Sequence, residues 1–332
     1  MARARKGLGA STSVAVIGAI FALTILAAMA IVTLLPREYQ VFGDDTNSVF
    51  NPLYYVIVIL VFTGVVLFVV KQGFEHLVQH IIMAAIFISI VYVIYPLVVR
   101  LFSSSPDDAS EGTVAIATTL GVSLALLVTV LLYVYPEWWV VDISGVFMAV
   151  GVTAILGFSI GVLPLILLLA VLAIYDAIAV YQTKHMVALA DTVMDHHLPI
   201  MLVIPKGSGY SFLEQPSLQE QLDSGEEREA MFMGLGDIII PGALVVSAQV
   251  FLAPMPWMWG LSSNLAVALT TLVGGLCGYL VLMRYVLRGN PQAGLPLLNG
   301  GAIGGYLVGA GLLYPSFGFV ELTTSFTLPG LF

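Results

Sequence analysis

Uninterrupted apolar stretches recur along this chain near 12–35, 50–70, 77–99, 113–135, 139–158, 160–183, 235–253, 261–283 and 295–314, and about 20 apolar residues is the length at which a helix crosses a hydrocarbon core. Lipid offers backbone amides no partners, so only helices and closed β-barrels can span it. A barrel needs shorter segments that alternate apolar and polar residues, whereas these stretches are continuously apolar. The pattern therefore predicts an all-α integral membrane protein with nine transmembrane helices. Gly157, Gly161 and Pro164 provide the punctuation between the fifth and sixth. Only 9% of the 332 residues are charged and mean hydropathy is +1.02, against about 25% charged in soluble domains.

The few charges carry topological information, because Lys and Arg are retained on the cytoplasmic side. With nine spans, Arg3, Arg5, Lys6, Lys71, Lys184, Lys206, Arg228, Arg284 and Arg288 fall on the amino-terminal side, and only Arg37 and Arg100 fall opposite. This predicts a cytoplasmic amino terminus and an outward carboxyl terminus. The charged start, Met1 to Lys6, precedes an uncharged stretch reaching Leu35. That is longer than the roughly 7–15 residues of a signal-peptide apolar region, so it is expected to remain as a membrane helix.

The same topology divides the chain into six amino-terminal spans over 1–183, a partly flexible cytoplasmic loop over 184–233 and three carboxyl-terminal spans over 234–332. The loop is rich in Ser, Gly, Gln and Glu around Glu214–Glu229, a composition that resists ordering. Residues 184–197 place Met186, Leu189, Val193 and Met194 at helical spacing, as an interfacial helix would. A net charge of −9 leaves no basic patch for nucleic acid. The expected partners are the lipid bilayer and other membrane segments. Cys277 is the single cysteine, so the chain can form neither an internal disulfide nor a multi-cysteine metal site.

Two acids stand inside apolar stretches, Asp176 in the sixth and Asp237 in the seventh. A charge near mid-bilayer costs about 2.5–3.5 kcal/mol or more, so each requires a compensating role. Asp176 precedes Lys184 by eight residues and Asp237 follows Glu229 by eight. If both intervals were helical, each carboxyl would lie about 12 Å beneath the same face. Carboxyls that meet share a proton and titrate as a pair. The ionised member can draw a proton from water while the protonated member donates to a carbonyl oxygen, which is the chemistry of amide hydrolysis. Gly234 and Gly236 open the backbone before Asp237 to close approach, and Pro241 interrupts the helix ladder beyond it. The residues alone leave two chemistries open: peptide hydrolysis, or an ion or proton relay in a polytopic transporter or cation leak channel.

Tyr175-Asp176 in one span and Gly234-Leu235-Gly236-Asp237 in the next resemble the Tyr-Asp and Gly-x-Gly-Asp motifs of presenilin and signal peptide peptidase, the intramembrane aspartyl proteases. Pro296-Leu297-Leu298 is similar to the family's Pro-Ala-Leu motif, with Leu297 in place of alanine. The compact length looks like the archaeal presenilin homologues. The resemblance implies that Asp176 and Asp237 are catalytic and that Tyr175, Gly234, Leu235, Gly236, Pro296, Leu297 and Leu298 shape the site or contact substrate. It implies no metal and no cofactor. The substrates would be transmembrane helices of other membrane proteins, type I in sense, because the charge bias matches presenilin rather than the inverted signal peptide peptidase. The setting would be the plasma membrane of an archaeon, with the oligomeric state, a homo-oligomer included, left open.

Peptide bonds in a helix are shielded by their own hydrogen bonds, so an unwound substrate is expected to add as a strand beside Pro296 and the loop end before Gly234. Gly301, Gly305 and Gly309, with Gly274 and Gly278, read as close helix packing. Asp191, Asp195, His196 and His197 form a polar cluster read as solvated rather than metal-binding, and His76 with His80 reads as interfacial. Glu137 and Asp142 beside Trp138 and Trp139 read as a membrane-interface belt.

Overall fold

In the computed structural model the described residues are 10–42, 46–48, 50–72, 75–103, 109–180, 201–207, 210–211, 230–288 and 292–314. The helices are α1 (Ala10–Val32), α2 (Phe50–Lys71), α3 (Glu75–Phe102), α4 (Glu111–Val134), α5 (Trp138–Ser159), α6 (Val162–Ile178), α7 (Gly236–Phe251), α8 (Ser263–Val286) and α9 (Gly294–Leu313). Strands β1 (Met201–Pro205) and β2 (Ala230–Gly234) lie between α6 and α7. Six helices, α1, α3, α4, α5, α8 and α9, are long and apolar enough to cross a membrane, while α6, α7 and the Phe50–Ile59 part of α2 are shorter apolar helices. The molecule is thus a mostly helical, multi-pass membrane protein.

Helix α7 is the axis of the bundle, with α1, α5, α6, α8 and α9 all packed against it. Ile238, Ala243, Leu244, Val245, Val246 and Ala248 are buried along it. Helices α3 and α4 pack on each other at the periphery. Leu126, Leu127, Val130 and Val134 of α4 remain exposed, as lipid contact requires.

Between lipid-solvated helices the hydrophobic effect supplies little, and association depends on close van der Waals approach. The α8–α9 pair achieves this through the glycines singled out in the sequence. Gly274 lies against the Gly301 carbonyl, Gly278 against the Leu297 carbonyl and Gly305 against the Thr270 carbonyl, leaving no room for a side-chain carbon.

The all-helical expectation needs one amendment. Met201 pairs with Gly234, Val203 with Phe232 and Pro205 with Ala230 in an antiparallel ladder, and Leu202 and Val203 are fully buried. Ordered segments therefore bound a connection expected to be partly flexible. Apolar residues drawn under the bundle must satisfy their amides locally, and with glycines at 234 and 236 the chain does so by strand pairing. This also changes the depth argument for Asp237. The residues before it are extended, at about 3.3 Å each, so the helical count from Glu229 does not apply. The 184–197 segment, the Asp191 to His197 cluster and the Glu214–Glu229 stretch lie outside the described residues.

Candidate active site

Asp176 and Asp237 stand at the same end of the bundle, because α6 finishes and α7 begins there. Asp176 lies in the last turn of α6 and is 6% exposed; Asp237 lies in the first turn of α7 and is half-buried. The element that brings them together is the start of α9. The Leu295 N–H donates to Asp176 Oδ2 at 3.1 Å, and the Gly294 amide bonds the same carboxylate. A side-chain carbon on Gly294 would stand 3.0 Å from Asp237 Oδ2 and 3.1 Å from its Oδ1. Both acids therefore lie against two consecutive residues of one backbone segment, and their carboxyls interact electrostatically.

The first amides of a helix lack intrahelical partners and carry the positive end of its dipole. Two helices direct that end at the pair, α7 from Asp237's own first turn and α9 from Gly294 and Leu295. Pro241 lies within α7 and has no N–H for the Asp237 carbonyl one turn back.

The other predicted residues surround this centre. Gly234 ends β2 and abuts the acid, its missing side chain facing Asp237 Oδ2 at 3.5 Å. Gly236 opens α7 with free space around it. Leu235 is buried at 3% exposure. Tyr175, next to Asp176 in the last turn of α6, is 57% exposed. Pro296 and Leu297 are half-buried in the first turn of α9, and Leu298 is fully buried.

Residues without a motif signal complete the arrangement. Gly294 and Leu295 act through backbone atoms, which a sequence scan does not weigh. Asn299, one turn deeper in α9, is 1% exposed and donates from Nδ2 to the Leu169 carbonyl of α6 at 2.9 Å. Hydrogen bonds at Gly294, Leu295 and Asn299 thus fasten α9 to the helix carrying Asp176. A buried asparagine near the motif was the available clue. Asp142 is a buried residue bonded to β1 rather than part of an interfacial belt. His76 and His80 are exposed at the start of α3, and among the described residues no group of acids, histidines and cysteines is disposed to hold a metal.

The family described as signal-peptide peptidase, presenilin aspartyl protease matches this chain over residues 13–313. The chain belongs to that family. Two crystal forms of a presenilin family intramembrane aspartate protease are similar to it in structure. The C222 form shares 34% identity, covers 90% of this chain and 99% of its own, and superposes with a TM-score of 0.64. The P2 form shares 35% identity over 88% of this chain and 96% of its own, with a TM-score of 0.58. No curated protein matches the chain. This member of the aspartyl protease family is an intramembrane peptide hydrolase, and Asp176 and Asp237 meet at one end of its helical bundle.

Proposed function

We propose that Asp176 and Asp237 are the catalytic pair of this intramembrane aspartyl endopeptidase. The observation that carries the proposal is the convergence of both carboxyls on the Gly294–Leu295 backbone. The ionised carboxyl takes a proton from water as the oxygen adds to the scissile carbonyl, and the protonated carboxyl donates to the carbonyl oxygen. The tetrahedral intermediate collapses when the protonated carboxyl passes its proton to the amine and the ionised one takes a proton from a hydroxyl of the intermediate, breaking the C–N bond and returning the pair to one shared proton.

Substrate has to be unwound before this step, because a helical amide is already bonded. Strand β2 supports addition of the unwound segment beside it: among the described residues it is paired on one edge only, with β1, and it leads directly into Gly234 and Asp237. Pro296 follows Leu295 in the first turn of α9, where an N–H would have no partner within the helix and proline is tolerated without loss of a ladder bond. Tyr175, Gly234, Leu235, Gly236, Pro296, Leu297 and Leu298 shape this cleft.

The finer topology belongs to the same proposal. We read nine spans, a cytoplasmic amino terminus and an outward carboxyl terminus, with the six-span portion at 1–183, the cytoplasmic connection at 184–233 and three spans over 234–332. Substrates are transmembrane helices, type I in sense, taken from the lipid of an archaeal plasma membrane without cofactor or metal. Lipid and substrate helices are the partners, and a homo-oligomer is compatible with the exposed apolar faces.

Purified protein incubated with a labelled transmembrane peptide tests the catalytic assignment. Cleavage lost in both Asp176→Ala and Asp237→Ala is expected. Cleavage surviving either substitution, or ion flux without cleavage, would overturn it. Cutting of a rigid poly-Leu helix as fast as one containing helix breakers would rule out strand addition.

A further inference from the structure

Asp142 lies early in α5, away from both catalytic candidates in sequence, and is 7% exposed. Its Oδ1 accepts the Val203 N–H at 2.7 Å. Val203 is the middle residue of β1, opposite Phe232. In an antiparallel ladder the N–H and C=O of one residue point to the same edge. With its N–H on Asp142, Val203 turns its amide away from β2 and toward α5. The Asp142 carboxyl therefore occupies the outer edge of β1 at its centre, and a side chain bonded there also blocks that edge to another strand.

Two further contacts extend the grip. Glu137, at the N-cap of α5, accepts from Ser211 Oγ at 2.6 Å and holds the chain beyond β1 to the same helix end. Three residues after Asp142, on the same face, a side-chain carbon on Gly145 would stand 3.2 Å from Leu235 Cδ1 and 3.4 Å from its Cδ2. Leu235 connects the end of β2 to the start of α7, where Asp237 sits. One turn of α5 therefore holds β1 through Asp142 and seats the residue between β2 and the acid through Gly145.

We propose that Asp142 is a positioning residue of the protease: by fixing β1 to α5 it sets the β1–β2 pair relative to Asp237, and so determines which substrate peptide bond reaches the acid pair. The proposal rests on strand addition at β2. A slip of one residue in a strand exchanges the faces of every side chain and moves the chain by about 3.3 Å, enough to present a neighbouring peptide bond.

The test uses the full chain reconstituted in liposomes with a labelled transmembrane peptide, reading kcat, KM and product masses. Asp142→Asn keeps an acceptor in place, so it should retain the parent products with kcat within about threefold. Asp142→Leu removes the acceptor; kcat should fall about tenfold or more with KM nearly unchanged, and products should spread to adjacent bonds. Gly145→Ala, which displaces Leu235 and leaves Asp142 intact, should produce the same spread and serves if the leucine variant does not fold. A single parental cut in Gly145→Ala and in any folded Asp142→Leu, or an Asp142→Asn variant as defective as the leucine, overturns the inference. If the Asp176 and Asp237 variants are inactive while these products stay parental, the positioning role alone fails. If either aspartate variant still cleaves, the catalytic assignment fails instead.

Discussion

The two helices that supply the acids are held in opposite ways. Helix α7 is enclosed by five neighbours, and Ala243, Leu244 and Val246 are completely buried in it. Helix α6 packs against α2, α7 and α9, but exposes Val171, Ile174, Tyr175 and Ile178. Those four residues follow helical spacing and form one exposed stripe. The acid pair thus joins a framework element to a peripheral one, with the start of α9 bonded to the peripheral acid and packed on the framework acid. A site built this way can keep Asp237 fixed while a bulky substrate is accommodated on the α6 side.

This contrast can be broken or sharpened by experiment, beginning with the chemistry itself. The proposed assignment requires both acids despite their different settings, so Asp176→Ala and Asp237→Ala should each reduce turnover by about a thousandfold or more, read as product formed per enzyme. Equal loss with retained helical circular dichroism supports a joint role; loss in one variant only would break the pairing. Next in size is the pH response. In the proposed mechanism the pair holds one proton, so activity should fall about tenfold per pH unit on both flanks, on the acid side as both carboxyls become protonated and on the alkaline side as both ionise. Substitution of His196 or His197 should leave the acid flank in place; its movement would assign that flank to histidine.

Gly294→Ala probes the segment between the acids. The added carbon would approach Asp237 Oδ2 to 3.0 Å, and a loss of about 10–100-fold in kcat is expected for a displacement of this kind at a reacting centre. Initial rates across substrate concentration check it, with KM changing less than kcat. The smallest effects separate the helices by stability. Ala243→Leu on α7 should destabilise the fold by about 1–3 kcal/mol through overpacking, whereas Ile174→Ala on the outward stripe should stay within about 0.5 kcal/mol. Reversible denaturation in mixed micelles measures both, and equal destabilisation would remove the distinction between framework and periphery.

The portion of this arrangement legible beforehand follows from what side chains disclose. Asp176 and Asp237 were conspicuous because each interrupts an apolar stretch, and Gly274, Gly278, Gly301, Gly305 and Gly309 because a four-residue period of small side chains has few uses other than close packing. Asp142 was visible but misassigned: next to Trp138 and Trp139 it resembles an interfacial acid, and its partner is a backbone amide at Val203. Strands β1 and β2 were missed because Met201–Pro205 and Ala230–Gly234 are short and bounded a connection whose composition favours disorder.

Composition and apolar run length, on their own, determined that the chain lives in a membrane as helices, since lipid leaves backbone amides no alternative. Motif identity then named two acids and the family to which they belong. What only the tertiary structure decided is how those acids meet: over the Gly294 and Leu295 backbone, next to a strand pair bonded to Asp142. Backbone hydrogen-bonding groups are nearly identical at every residue, so their choice of partner is written in the packing of distant helices rather than in any local pattern of side chains.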